Sequence, residues 1–228
     1  VDRRMRKLAR AAMQQYLGLS ASQWSVFDAV LHKRESVLLM GAPGSGKSYL
    51  LNLLKDRARA PIVTASTGAA AEKIGASTIH SALGLGIGTK TSAEIVRRMT
   101  KPHNSFGFAM MTRISECRTL IIDEVSMLTH KLLRLAEEVL LKVRGRLPQL
   151  IVSGDPMQLG APGKQHDGAF FTAGLILHLR PYVLTESFRQ EENSRFLHIL
   201  NAARLGVARR EDELWLRANF CSKAAPTA

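Results

Sequence analysis

The chain has 228 residues, of which 46% are hydrophobic and 22% are charged, and this composition excludes a disordered protein because enough apolar side chains are present to bury a core. The 32 Lys and Arg residues exceed the 19 Asp and Glu residues, giving a formal net charge of +13. This charge fits a polyanionic partner such as nucleic acid, and it equally fits arginines solvated on a basic surface. Two cysteines, Cys117 and Cys221, make neither a disulfide framework nor a zinc cluster, and no apolar run is long enough to cross a membrane.

The first 32 residues combine a basic segment with a second helical pattern. Residues 1–18 are predicted to form a basic N-terminal extension, with a helix over residues 2–16 that Gly18 ends. The Arg-rich, acid-poor composition of this extension fits a mitochondrial presequence and a basic surface helix equally well. The next helix is predicted over residues 22–32, with Ser22 as its N-cap.

Short apolar runs that alternate with helical patterns predict an α/β domain. The runs are apolar at consecutive positions, which favours parallel strands buried on both faces of a sheet by flanking helices. Strands are predicted at residues 37–40, 62–65, 119–123, 150–153 and 182–185, and further helices at residues 47–57, 105–116, 129–144 and 193–205. A glycine-rich stretch at residues 75–88 is predicted to be irregular and mobile.

A phosphate-binding loop follows the first predicted strand and opens the next helix. Residues 41–48 fit the pattern G-x-x-x-x-G-K-[ST] in the strand and helix context that this loop requires. The glycines let backbone amides surround phosphate oxygens, Lys47 reaches the β and γ phosphates, and Ser48 ligates Mg²⁺. The predicted nucleotide-binding residues of this segment are Gly41, Ala42, Pro43, Gly44, Ser45, Gly46, Lys47, Ser48 and Tyr49.

Two adjacent carboxylates end the strand at residues 119–123. Asp123 and Glu124 lie where α/β sheets place their ligands, and successive side chains of a strand diverge. Asp123 is therefore predicted to hold the metal and Glu124 to activate the attacking water. Acidic residues also end strands without any catalytic function, but the neighbouring phosphate-binding loop favours the catalytic interpretation.

Two further polar residues follow predicted strands. The amide of Gln158 can orient water at the γ phosphate, or its segment can be an ordinary turn in which Asp155 caps the backbone. Arg189 can stabilise charge on the transferring phosphoryl group, or it can be a surface residue paired with Glu186 or Glu192. Both Gln158 and Arg189 are predicted to be catalytic.

The chain resembles PIF-type (petite integration frequency) DNA helicases of superfamily one, branch B. The resemblance covers residues 19–217 and includes Thr-Ala-Ser-Thr-Gly-Ala-Ala at 64–70, Thr-Ile-His-Ser at 78–81 and Asp-Glu-Val-Ser-Met-Leu at 123–128. It continues with Gly-Asp-Pro-Met-Gln-Leu at 154–159 and Phe-Arg-Gln at 188–190. One departure is Gly160-Ala161-Pro162, where the family has Pro-Pro after the leucine.

The resemblance implies a 5′ to 3′ DNA helicase that uses ATP and Mg²⁺ in DNA replication, repair or recombination, in the nucleus or the mitochondrion. It assigns adenine recognition to Gln23, although a glutamine at this helix start can also lack any such role. It also implies that the RecA-like domain contacts single-stranded DNA through Thr67, Gly68, His80 and Ser81. A lone histidine is often structural, and this alternative stays open for His80.

The resemblance also predicts the domain organisation. Residues 19–220 are expected to form the first RecA-like domain, and residues 221–228 a linker or truncated end before a second one. Because a helicase steps when ATP closes a cleft between two such domains, this segment alone is not expected to be a competent motor. The alternatives are a RecD-like or relaxase-linked helicase of the same branch, and a helicase-derived structural or binding subunit of a large nucleoprotein assembly.

Overall fold

The computed structural model describes residues 3–158, 170–186, 188 and 195–220. Six strands occur within these ranges, β1 Val37–Gly41, β2 Pro61–Ala65, β3 Ser77–Thr78, β4 Thr119–Asp123, β5 Gln149–Gly154 and β6 Arg180–Leu184. Every pairing among them is parallel, and the strand order is β3-β2-β4-β5-β1-β6. All five predicted strands are present, whereas the two-residue β3 was missed because it is too short to carry a hydrophobic pattern.

The helices precede, connect and follow these strands along the chain. Their bounds are α1 Arg3–Tyr16, α2 Ala21–Leu31, α3 Lys47–Lys55, α4 Gly68–Lys73, α5 Ile79–Ala82, α6 Ser92–Met99, α7 Ser105–Glu116, α8 His130–Arg144, α9 Gly174–Leu177, α10 Arg195–Arg204 and α11 Arg210–Phe220. Single 3₁₀ turns occur at Val125–Met127 and Phe170–Thr172. Within the described ranges, no helix has both the length and the apolar character needed to span a membrane.

Helices cover both faces of the sheet, as the apolar strands predicted. Alternate residues of β4 enter different cores: Leu120 and Ile122 pack with α6, α7 and α8, and Ile121 packs with α2 and α3. All three side chains are fully buried. The predicted α/β, P-loop, RecA-like architecture is thus confirmed.

The first compact unit of the chain ends at Glu186, and the second contains α10 and α11. Within the second unit the rings of Phe196 and Phe220 are 5.0 Å apart, and the guanidinium of Arg195 lies 5.5 Å from the centre of the Trp215 ring. Aromatic contacts therefore hold α10 and α11 together.

Two local predictions are wrong. Ser20, and not Ser22, is the N-cap of α2, because the Ser20 hydroxyl accepts a hydrogen bond from the Gln23 backbone and the Gln23 side chain accepts one from the Ser20 backbone. The stretch at residues 75–88, predicted to be irregular, contains β3 and α5. Its glycines concealed this order, since Gly84, Gly86 and Gly88 all adopt positive φ in the turns that follow α5.

Candidate nucleotide and nucleic-acid site

The predicted site residues lie at one edge of the sheet. Because all strands are parallel, their carboxyl ends meet at this edge, with neighbouring strands about 4.8 Å apart. The phosphate-binding loop leaves β1, the acidic pair ends β4, and the segment that carries Gln158 leaves β5, which lies between them. Folding therefore brings together three segments that are far apart in the sequence.

The phosphate-binding loop has the backbone that its glycines allow. Gly44 and Gly46 adopt φ of 83° and 84°, conformations in which glycine is strongly favoured, and Gly46 is the N-cap of α3. Lys47 begins α3 and is 8% exposed, and its ammonium donates hydrogen bonds to the carbonyls of Gly41 at 2.7 Å and Ala42 at 3.1 Å. The charge of Lys47 is thus held inside the loop that the phosphates would enter.

Gly41 is needed for a different reason, which is close packing. A Cβ atom at this position would lie 2.5 Å from the Ser45 hydroxyl oxygen and 3.2 Å from the Leu184 carbonyl oxygen. The Ser45 hydroxyl is buried and has no hydrogen-bond partner within the described residues. Gly41 therefore lets the loop fold back against the end of β6.

Asp123 is almost completely buried at the end of β4. Its carboxylate accepts a hydrogen bond of 2.9 Å from the Glu124 backbone, and the exposed fraction of the residue is 4%. Burial raises the pKa of Asp123, whereas the Glu124 N–H and the positive charges of Lys47 and Lys73 act in the opposite direction. A buried carboxylate suits a bound cation, because the ion offsets the cost of burying the charge.

Glu124 turns the chain away from the sheet. Its φ of 53° lies in the left-handed region, which non-glycine residues rarely adopt and which recurs at functional sites. Burial and the negative charge of Asp123 raise the pKa of Glu124, and Lys47 and Lys73 lower it. A carboxyl group with a raised pKa is well matched to accepting a proton near neutral pH.

Lys73 is a further charged residue of the site that no motif in the sequence indicated. This residue ends α4, and its charge lowers the pKa of both Asp123 and Glu124. Its position three residues after the Thr-Ala-Ser-Thr-Gly-Ala-Ala segment was the only signal available in the sequence.

Gln158 follows a turn that Asp155 organises. Asp155 is completely buried, its carboxylate accepts a hydrogen bond from the Met157 backbone, and its carbonyl accepts one from the Gln158 backbone. Asp155 therefore organises this turn, and the catalytic role of Gln158 stays a prediction. Gln158 is half-buried at the carboxyl end of β5, next to the strand of the phosphate-binding loop, whereas residues 159–162 and Arg189 lie outside the described residues.

Gln23 and Tyr49, which were predicted to bind the nucleotide, make hydrogen bonds in the elements next to the loop. The Gln23 side chain is 2% exposed and its oxygen closes the capping box of α2, while the Tyr49 hydroxyl donates to the carbonyl of Leu17 at 2.9 Å. The end of β6 is tied to the same helix, since the Ser22 hydroxyl donates to the carboxylate of Glu186. These contacts place the start of α2 beside the loop.

The four residues predicted to contact DNA lie at the other end of the same edge. Thr67 caps α4 after β2, and His80 and Ser81 lie in α5 after β3, the strand that pairs with β2. A Cβ atom on Gly68 would meet no atom within 4 Å, so the backbone there is open to a close approach. Burial lowers the pKa of His80, which favours the neutral ring.

Comparison with known proteins agrees with this arrangement. Residues 18–217 match the protein family described as an AAA domain. The ATP-dependent DNA helicase RRM3 of Saccharomyces cerevisiae is 32% identical over 206 residues, which are 82% of this chain and 28% of that helicase. The chain therefore spans less than a third of the length of this relative.

Two of the solved structures that are similar over most of the chain illustrate the match. The Pif1 helicase from Candida albicans has a TM-score of 0.79 at 31% identity, over 88% of this chain and 47% of that one. The Pif1 helicase from Bacteroides, in complex with ADP-AlF3 and ssDNA, has a TM-score of 0.75 at 26% identity, over 92% of this chain and 51% of that one. The chain belongs to the AAA domain family, and the proteins to which it is similar are Pif1-type DNA helicases.

Proposed function

We propose that this chain is the ATP-binding and ATP-hydrolysing half of a 5′ to 3′ DNA helicase that acts on single-stranded DNA. The observation that carries the proposal is the convergence of the Lys47 loop, the Asp123–Glu124 pair and the Gln158 turn on one edge of the sheet. An isolated phosphate-binding loop would support nucleotide binding only. The acidic pair and the glutamine add the groups that hydrolysis needs.

Each residue has a distinct function in this proposal. The backbone of residues 41–46 cradles the phosphates, and Lys47 leaves its carbonyl partners to contact the β and γ phosphates. Ser48 and Asp123 hold Mg²⁺, which neutralises phosphate charge when it is bound. Glu124 accepts the proton of the attacking water, Gln158 orients that water, and Arg189 stabilises the charge that develops on the phosphoryl group.

The proposed DNA contacts use the remaining part of the same edge. Thr67 and Gly68 offer a hydroxyl and an accessible backbone to DNA phosphates, and Ser81 and His80 extend this surface beyond β3. The Bacteroides Pif1 helicase, which has a similar fold, was solved with both ADP-AlF3 and ssDNA bound, and this supports the binding of both ligands by the present fold. Gln23 recognises adenine in this proposal.

A second RecA-like domain completes the motor. The similar helicases are much longer than this chain, and translocation needs a cleft that ATP can close between two domains. We further propose that the whole protein maintains DNA in the nucleus or the mitochondrion.

The experiment that tests the proposal measures ATP hydrolysis by the intact protein with and without single-stranded DNA. Lys47→Ala is expected to abolish nucleotide binding and all DNA-stimulated hydrolysis, because no other side chain replaces its charge in the loop. Hydrolysis that survives this change would contradict the proposal. If the unmodified protein shows no DNA-stimulated hydrolysis yet stays in a nucleoprotein complex at high salt, it is instead a structural subunit.

A further inference from the structure

Five arginines line one open cavity at the edge of the sheet opposite the phosphate-binding loop. The cavity has a volume of about 390 Å³, and its charged lining consists of Arg34, Arg59, Arg118, Arg144 and Arg146. Of these residues Arg144 is half-buried and the other four are exposed. We call these five residues the arginine rim.

The rim is a product of the sheet topology. Arg34, Arg59 and Arg118 precede β1, β2 and β4, and Arg144 and Arg146 precede β5. These four strands are consecutive in the order β2-β4-β5-β1 and are parallel, so the residues before them meet at the amino edge. With a strand spacing of about 4.8 Å, the rim extends over roughly 14 Å.

The positive charge of the rim is not neutralised within the described part of the chain. No described carboxylate forms an ion pair with any of the five guanidinium groups. The acids nearest to Arg34 in the sequence have other partners: Asp28 in α2 pairs with Arg10 and Lys33 and contacts the His32 ring, and Glu35 pairs with Arg180. Five like charges around one cavity repel each other unless an anion lies between them.

Two of the rim arginines have a constrained geometry. Arg34 adopts a φ of 60°, in the left-handed region where a glycine would fit without strain. Arg144 is held in place, since its guanidinium donates to the carbonyls of Ser115 at 3.4 Å and Arg146 at 2.8 Å.

We propose that the arginine rim is a second nucleic-acid contact surface, which binds successive phosphates of one DNA strand. The guanidinium fork suits phosphate oxygens, and a row of forks about 14 Å long in an open cavity fits a polymeric backbone better than a single phosphate group. The rim is separate from the ATP site and from Thr67, Gly68, His80 and Ser81, which all lie at the opposite edge of the sheet. This surface goes beyond the proposed helicase function.

The test compares two triple variants of the intact protein that lose the same charge. The rim variant is Arg34→Gly, Arg59→Ser and Arg118→Ser, in which the glycine also removes the left-handed strain. The control variant is Arg97→Ser, Arg98→Ser and Lys101→Ser, three exposed cations in α6 and the turn after it. Binding of a labelled single strand and of a labelled duplex is measured by fluorescence anisotropy over a range of salt concentrations, without ATP.

The rim variant is expected to bind the single strand at least about tenfold more weakly than the control at physiological salt. The slope of log K against log salt should fall by about 2, since each lost phosphate contact removes about 0.7. An arginine-to-lysine version of the rim should keep the slope and lose only part of the affinity, because lysine keeps the charge without the fork. Weaker duplex binding by the rim variant than by the control would also support the proposal, because each strand of a duplex presents successive phosphates. A loss confined to the duplex would overturn it.

Equal affinities and slopes for the rim and control variants would overturn the proposal and would point to an acidic protein as the partner. Full release of the DNA strand by inorganic phosphate at millimolar concentration would also overturn it, because the cavity would then be a small-anion site. Thermal unfolding of both variants controls for folding. Failure of the helicase proposal is distinguishable, since it is measured as ATP hydrolysis after Lys47→Ala and does not depend on the rim.

Discussion

Glu124 combines a left-handed backbone with a carboxyl group whose pKa is raised by burial and by Asp123. As the proposed base it must be deprotonated, so ATP hydrolysis should fall as pH falls through this raised pKa. Glu124→Gln should keep ATP binding and lose at least about a hundredfold in hydrolysis, because general-base catalysis contributes about 10²–10⁴. Nucleotide binding and turnover are measured on the same preparation, and normal turnover would exclude Glu124 as the base.

Substitution of Lys73 tests the predicted pH dependence of ATP hydrolysis. Its charge lowers the pKa of Asp123 and Glu124, so Lys73→Met should raise both pKa values and move the acidic limb of the ATPase profile to higher pH. The pH profile of Lys101→Met, a change at an exposed lysine between α6 and α7, is the control and should not move. A movement toward lower pH would contradict the assignment of Lys73.

Gly41 tests the packing of the phosphate-binding loop. Gly41→Ala places a Cβ atom 2.5 Å from the Ser45 hydroxyl and 3.2 Å from the Leu184 carbonyl, and such overpacking costs about 1–3 kcal/mol. The free energy of unfolding should fall by this amount, as measured by denaturant titration. Gly68→Ala is the matched control, because its Cβ would meet nothing within 4 Å, and a similar loss there would refute the packing explanation.

At the scale of elements, the start of α2 joins a helix cap to a proposed adenine contact. Ser20→Ala removes the cap and should lower the free energy of unfolding by about 0.5–2 kcal/mol without changing the preference for ATP over GTP. Gln23→Ala should lower the stability and also remove that preference. If competition between the two nucleotides is unchanged in Gln23→Ala, Gln23 is only a capping residue.

At the scale of the whole molecule, nucleotide binding and folding are linked. Mg-ATP at about a hundred times its Kd should stabilise the folded chain by about 2.7 kcal/mol, provided that only the folded state binds it. The increase in melting temperature is measured by thermal unfolding and should be absent in Lys47→Ala.

The 228-residue chain alone should show this stabilisation but should not unwind DNA, and unwinding by it would contradict the need for a second domain.

The sequence by itself determined the fold class and predicted the phosphate-binding loop, since both depend on local patterns. Buried parallel strands have consecutive apolar residues, and a phosphate-binding loop needs its glycines and Lys47 at fixed spacing, so neither required a distant contact. The local pattern could not place the N-cap of α2 correctly. Ser20 and Ser22 are both good N-cap residues, and only the reciprocal bond with Gln23 distinguishes them.

Only the tertiary structure decided which distant residues share an edge of the sheet. Strand order is set by packing between segments far apart in the chain, so the sequence could not show that Lys73 acts on Asp123 and Glu124, or that β5 separates the acidic pair from the loop. It also could not show that arginines before four different strands form one cavity. The net charge of +13 indicated an anionic partner, and the fold places five of the arginines around one cavity.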